Sequence, residues 1–302
     1  MNDSLHKFSK YLLDPIPDEL WRHSEPISGA KLGFCDNCRF YHLDPYPTDD
    51  YLANYYKNYE MPTPQANLSV TARLLGRYIE KSASIIDMGC GDGGFLLEMQ
   101  KLGFSNLSGF DQSPGVQRAQ KLGLGEISNK SVWEFLNETE RNETYDADAY
   151  VMVNVLEHIP EPINLLHRLY KVMKEGAVLA VTVPNDFSPL QKAFLKSKGH
   201  LPWFVCLPDH LNYFDFNTLK YTLEDNGFTE IDRSALYPLE LFLLQDLDYI
   251  DNPELGSIAH QRRVTFEESL KNAGMEDVLD DFYQTLASGG YGRDVMMIAQ
   301  KK

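Results

Sequence analysis

Ile85-Ile86-Asp87-Met88-Gly89-Cys90-Gly91-Asp92-Gly93-Gly94 runs from an apolar strand-like tetrad straight into a glycine-rich turn. The spacing of Gly89, Gly91 and Gly94 satisfies Gly-x-Gly-x-x-Gly, a turn tight enough to bring a helix N-terminus close to a ligand. It predicts a strand over 84–88 and a helix over 94–102. Working outward, strand-like segments at 107–111, 125–128, 147–153 and 177–183 alternate with helical ones, the first opened by Ser113-Pro114, the next spanning 131–138 and 161–174. Gly103, Gly123, Gly176 and Gly227 fall where those helices should end. Crossovers this short demand a parallel sheet covered by helices on both faces, an α/β, Rossmann-like architecture.

Beyond residue 184 the pattern loosens over 185–208, where Trp203-Phe204 and three prolines read as an irregular segment, then resumes as a helix over 217–226 and strands over 229–234 and 292–299. The expected organisation is an aromatic, proline-punctuated module at 1–64, a core of 65–236 with 291–302, and a helical insertion at 237–290 overhanging the active site as a substrate lid.

A chain of 302 residues that is 43% apolar buries one substantial core plus appendages. Its formal charge of −16 would repel a phosphate backbone, so a nucleic-acid partner is not expected and a small molecule is. No run approaches 18 apolar residues and residues 1–7 lack an apolar signal core, so no membrane partner and a cytoplasmic location are expected. Four scattered cysteines, Cys35, Cys38, Cys90 and Cys206, agree with a reducing compartment. Oligomeric state is not legible.

Glycine spacing alone does not separate a dinucleotide from another adenosyl cofactor. The acidic residues do. A pyrophosphate is dianionic and would be opposed by Asp87 before the first glycine and Asp92 inside the loop. S-adenosylmethionine has no phosphate and offers a cationic amino group and a sulfonium, which favour nearby carboxylates. Asp111, closing the second strand, suits the two ribose hydroxyls of either cofactor, or serves only as a cap for the helix that follows.

The loop, together with Asp146-Ala147-Asp148-Ala149-Tyr150-Val151-Met152-Val153-Asn154-Val155-Leu156-Glu157-His158-Ile159 along and after the fourth strand, resembles the class I S-adenosylmethionine-dependent methyltransferases over residues 65–235. The resemblance implies a seven-stranded sheet with its last strand antiparallel. It implies cofactor contacts at Asp87, Gly89, Cys90, Gly91 and Gly93, at Asp111 and Gln112 for the ribose, at Asn129 near the adenine, and at Asn154 and Val155 near the sulfonium. S-adenosylhomocysteine would be the product. His158 has two readings, beside the cofactor or tying a loop to the sheet.

In-line methyl transfer requires alignment and dryness, and a base only for a poorly acidic nucleophile. The segment Leu207-Pro208-Asp209-His210-Leu211-Asn212-Tyr213-Phe214 resembles bacterial methyltransferases of sugars and other small molecules, in which such a histidine acts as base. His210 is therefore the expected catalytic residue, its rival role being a cap for the helix near 217, with Tyr59, His158 and Tyr213 expected near the acceptor. Arg262 and Arg263 form the one paired-arginine cluster, suited to an acceptor carrying phosphate or to pairing with Glu267 and Glu268 on a solvated helix. The same subgroup carries a four-cysteine zinc-binding piece, and this chain has a single Cys-x-x-Cys. Cys35 and Cys38, with His23 and His42, could complete a tetrahedral set, but half-sites also persist as packing remnants, and no zinc is expected. The acceptor is expected to be a sugar or nucleotide-linked sugar of surface-polysaccharide or secondary metabolism. A quinone, protein or RNA acceptor, or a non-catalytic cofactor-binding scaffold, are the alternatives.

Overall fold

The computed structural model describes residues 6–21, 24–56, 66–142 and 146–302. Eleven strands are present among them: β1 Phe8–Leu13, β2 Lys31–Cys35, β3 Tyr41–Asp44, β4 Ile85–Met88, β5 Leu107–Asp111, β6 Glu126–Asn129, β7 Ala149–Val153, β8 Val178–Pro184, β9 Asn212–Tyr213, β10 Phe228–Ala235 and β11 Asp294–Lys301. Seven form one sheet in the order β10-β11-β8-β7-β4-β5-β6. β4 pairs in parallel with both β5 and β7, β5 with β6 and β7 with β8, whereas β11 runs antiparallel to β8 and β10. This is the mostly parallel Rossmann-like sheet with an antiparallel final strand. β4, β7 and β8 are buried along nearly their whole length because helices cover both faces.

Two apolar layers sandwich the sheet. One gathers Met88, Phe110, Tyr150, Leu165 and Leu169; the other gathers Ile85, Leu96, Val151, Leu279 and Tyr283. The second layer corrects the expected lid. The stretch 237–290 folds as helices Glu240–Leu244, Pro253–Asn272 and Glu276–Gly289, and the last of these buries Leu279, Tyr283 and Ala287 against the sheet beside β10. Its apolar face is committed to the core, and no residue of 237–290 lines the cavity at the strand ends.

Two further segments depart from expectation. Within 185–208 lies a helix, Pro189–Lys198, opened by a reciprocal capping box between Ser188 and Gln191. The N-terminal module is β-structured: β1, β2 and β3 pair antiparallel, and β3 takes β9 as its neighbour through Tyr41↔Tyr213 and His42↔Asn212. No helix among the described residues is long and apolar enough to cross a membrane.

The helix Phe216–Asp225 is capped by Asp215, whose Oδ1 accepts from the amides of Asn217 at 3.0 Å and Thr218 at 2.8 Å. That fills the role His210 would otherwise have played. Asp215→Ala should lower stability by about 0.5–2 kcal/mol, measured as a shifted urea midpoint with an unchanged slope; an unmoved midpoint would show the cap to be energetically idle.

Candidate active site

The strand ends that the sheet order brings together open into a cavity of about 1160 Å³. Single-ligand pockets run to about 300–1,000 Å³, so this one has room for a cofactor and a second reactant. Its floor is the glycine turn. Gly89 has φ +83°, and a Cβ there would lie 2.6 Å from Cγ2 of Val155, so only glycine permits the turn at this height. The amides of Gly89 and Cys90 both donate to the Phe110 carbonyl, at 2.8 and 2.9 Å, and Gly93 N–H donates to Cys90 O. Gly91 N–H donates to Asp111 Oδ2 at 2.8 Å, and the other oxygen of Asp111 accepts from Ser113 N–H at 2.6 Å. A phosphate-binding turn leaves its amides open for the anion. Here four loop amides are already engaged and a carboxylate stands at the mouth, which fits a cationic, phosphate-free cofactor.

Of the positions expected at the cofactor, Gly89, Asp111, Gln112, Asn154 and Val155 line this cavity. Asp87, Cys90, Gly91 and Gly93 stand outside the lining, as does Asn129, whose neighbour Lys130 takes the wall instead. Asp87 is 2% exposed, and burial, with the charge of Asp111 second, pushes its carboxyl up to about 8. Asn154 sits in the left-handed region at φ +54°, and its Oδ1 accepts from Asn67 Nδ2 at 3.0 Å. A strained residue held this way at a strand end is a common feature of ligand sites.

The opposite wall carries the histidines. His158 Nδ1–H donates to the Asp209 carbonyl at 2.5 Å and lies 3.4 Å from Asp209 Oδ1, while its Nε2 is 3.7 Å from Glu157 Oε1. Burial opposes the imidazolium, but the Asp209 and Glu157 carboxylates outweigh it and raise His158 to about 9. His158 thus lines the cavity and also ties the 207–213 segment to the sheet. Glu157 is 1% exposed, neither of its oxygens has a hydrogen-bond partner among the described residues, and burial raises it to about 7. His210 lines the same wall with its ring 5.1 Å from that of His158. Tyr213 lies behind, its hydroxyl donating to the His210 carbonyl at 2.9 Å. Tyr59 falls outside the described residues.

The arginine pair is a correction. Arg263 is 5% exposed and donates to Glu267 Oε1 at 2.7 Å, an oxygen that also accepts from the Tyr283 hydroxyl. Helical periodicity puts residues 263 and 267 on one face, and that face is turned to the neighbouring helix. Arg262 lies against the Phe242 ring, 6.0 Å from its centroid, and neither arginine lines the cavity. What does line it is acidic: Asp49, Asp111, Glu157, Glu161, Asp209 and Asp294, against the single ammonium of Lys130 among the described residues. Sequence reasoning missed Asn67 and Asp294, which no local motif marks, and also Tyr46; Tyr56, from the run of tyrosines in the N-terminal module, lines the cavity as well.

A family model described as a methyltransferase domain matches residues 59–232. The chain is similar to human EEF1A lysine methyltransferase 2, 34% identical over 108 residues that cover 31% of this chain and 45% of that protein. It is also similar to the ubiquinone biosynthesis O-methyltransferase of Hydrogenovibrio crunogenus, 26% identical over 32% of this chain and 40% of that protein, and to the tRNA U34 carboxymethyltransferase of Helicobacter acinonychis, 29% identical over 40% and 47%. The match spans less than half the length of each of these relatives. A solved S-adenosylmethionine-dependent methyltransferase from Archaeoglobus fulgidus, 17% identical, shares the fold with a TM-score of 0.50 over 84% of this chain and all of that one.

Four carboxyls, three buried and Asp294 half-buried, are held high, first of all by desolvation: Asp87 at about 8, Glu157 and Asp186 at about 7 and Asp294 at about 6. Unfolded, they ionise near pH 4. The folded protein therefore keeps protons that the unfolded chain releases, and this contribution, complete below about pH 4, is lost as pH rises through 6 to 8. His158, raised to about 9, acts in the same direction. Melting temperature should fall from pH 5 to 8.5, and a scan showing a steady rise over that range would contradict the assignment of these groups.

Proposed function

The chain belongs to the methyltransferase-domain family; we propose that it is an S-adenosylmethionine-dependent enzyme that methylates a hydroxyl of a small molecule without phosphate, with His210 as the base. The observation that carries this reading is that His210 and the Glu157–His158 pair share one cavity with Gly89, Asp111 and Asn154. S-adenosylmethionine, when bound, supplies an electrophilic methyl group for in-line displacement. Asp111, already oriented by the amides of Gly91 and Ser113, would accept both ribose hydroxyls. Gly89, Asn154 and Val155 would flank the methionine portion.

The two histidines divide the proton work. His158, raised to about 9 and held between Asp209 and Glu157, stays protonated at neutral pH and cannot take a proton. It serves as a fixed cation that orders the wall. His210, one ring away, is left to receive the acceptor's hydroxyl proton as the methyl leaves sulfur.

The acidic lining speaks against a phosphate-bearing acceptor, whether a nucleotide-linked sugar or an RNA, because those of its carboxyls that are ionised would repel it in a partly dry site. Neutral hydroxyl compounds, sugars and quinols among them, suit it. A second reading, transfer to an amine, is favoured by the same lining and by the likeness to a lysine methyltransferase. A panel of free sugars, catechols, sugar nucleotides and lysine peptides, scored by S-adenosylhomocysteine release, separates these; turnover confined to sugar nucleotides would refute the proposal.

Two substitutions test the roles. Asp111→Ala should weaken S-adenosylhomocysteine binding by about 2 kcal/mol, roughly 30-fold, by calorimetry. His210→Ala should lower kcat by about 10²- to 10⁴-fold with cofactor affinity retained, and a near-normal kcat would leave alignment alone as the mechanism.

A further inference from the structure

Behind the acceptor wall, away from the cavity, a second constellation has formed in the N-terminal sheet. His6, just before β1, Cys35 at the end of β2, Cys38 in the turn and His42 in β3 bring one donor atom each to within 4.8 Å of one another. His6 Nδ1 lies 3.4 Å from Cys38 Sγ and 4.0 Å from Cys35 Sγ. In a tetrahedral zinc site with Zn–S near 2.3 Å and Zn–N near 2.0–2.1 Å, neighbouring donors stand roughly 3.3–3.8 Å apart. The cluster needs only a small contraction to reach that geometry.

Its local chemistry is prepared in the same sense. Cys38 N–H donates to Cys35 Sγ at 3.4 Å, and Arg39, in the left-handed region at φ +63°, closes the turn by donating its amide to the Cys35 carbonyl at 2.7 Å. A turn that aims an amide at the first sulfur favours the thiolate. His42 Nδ1–H donates to the Leu43 carbonyl at 2.9 Å, which leaves Nε2 as the lone-pair nitrogen. That nitrogen is buried, in a side chain with no exposure, and its side-chain neighbour is the Cys35 sulfur. A buried imidazole nitrogen turned toward two cysteine sulfurs is placed to ligate an ion held between them. Cys35 and Cys38 are also buried, so they would not serve as a solvent-facing redox pair.

We propose that His6, Cys35, Cys38 and His42 bind a structural zinc ion that clamps β1, β2 and β3 together. Two sulfurs and two nitrogens in a closed tetrahedral arrangement select zinc among the common divalent ions, and binding releases the thiol protons to solvent. The set differs from the one the sequence pointed to. His23 lies outside the described residues, and the fourth ligand comes from His6, 29 residues before Cys35 in the chain.

The clamp reaches the active site through two contacts. His42 sits opposite Asn212 in the β3–β9 pairing, and Asn212 Nδ2 donates to the carbonyls of Leu156, Glu157 and Ile159, with 2.8 Å to the last. Tyr46, stacked on His42 at 4.9 Å, donates to Asn212 Oδ1 at 2.6 Å and lines the cavity. The ion would therefore fix the wall that holds Glu157 and His158 while leaving the glycine turn alone.

The full chain, purified under reducing conditions, should carry on the order of one zinc per molecule by elemental analysis. Stripped and reloaded with Co²⁺, it should show the visible absorption of a tetrahedral site and the near-ultraviolet thiolate-to-cobalt band. Cys35→Ser and Cys38→Ser should each abolish that band, His6→Ala should weaken it, and Glu157→Gln, which alters the only other such cluster among the described residues, should leave it unchanged. Stripping zinc should speed amide exchange in 31–44 and 211–213 with exchange in 85–111 unaltered. Failure of the reduced wild-type chain to retain zinc or cobalt would overturn the proposal. So would metal that survives both cysteine substitutions and is lost in Glu157→Gln. Unchanged exchange in 211–213 on stripping would overturn the clamp's link to the wall.

Discussion

Two amides of one turn, those of Gly89 and Cys90, converge on the single carbonyl of Phe110. That contact ties the end of β4 to the end of β5 and sets the height of the cavity floor, and the other features of the site follow from it. It consumes donors that a dinucleotide would need. It draws Asp111 over the turn, where Gly91 and Ser113 hold both carboxylate oxygens. It also brings Val155 down onto Gly89, which is why no side chain is tolerated there. A phosphate-binding glycine turn and this one share spacing and differ in where the amides point.

Around that floor the protein concentrates negative charge in a largely buried setting. Isolated buried carboxylates are expensive, and the protein meets the cost by keeping several of them protonated and by placing cations of its own beside others. Arg293 illustrates the second course, its guanidinium lying 3.3 Å from Glu240 and 3.9 Å from Asp186. His158 does the same for Glu157 and Asp209. A cationic cofactor entering this environment would ease the same imbalance, so the electrostatics of the fold and the chemistry of the methyl donor point the same way.

The wall proposed to meet the acceptor is assembled from distant pieces. Tyr46 and Tyr56 come from the N-terminal module, Glu157 and His158 from the turn after β7, and His210 from the segment before β9. Asn212 holds the last two together with its side-chain amide, and the β3–β9 pairing joins the first to both. Cofactor and acceptor sides thus have separate supports, one inside the main sheet and one in the appended sheet.

The sequence by itself determined the main sheet and the cofactor turn, because each depends on local rules: apolar runs of strand length, glycines where backbone must turn left-handed, and acids at strand ends. Asp87, Gly89 and Asp111 could be read this way, and so could the elements around them to within a few residues. The packing of the 237–290 helices, the contacts of the arginine cluster and the strands of the N-terminal module could not. The stretch 253–289 reads as amphipathic helix whichever surface it covers, and only packing against β10 commits Leu279 and Tyr283 to the core and Arg263 to Glu267. The short strands β2 and β3 carry too little periodicity to announce themselves, and β9 has two residues that become a strand only beside β3. His6, Asn67 and Asp294 belong to no motif. Their places were decided by tertiary structure alone, because what each does depends on atoms tens to hundreds of residues away, brought close by the closure of two sheets.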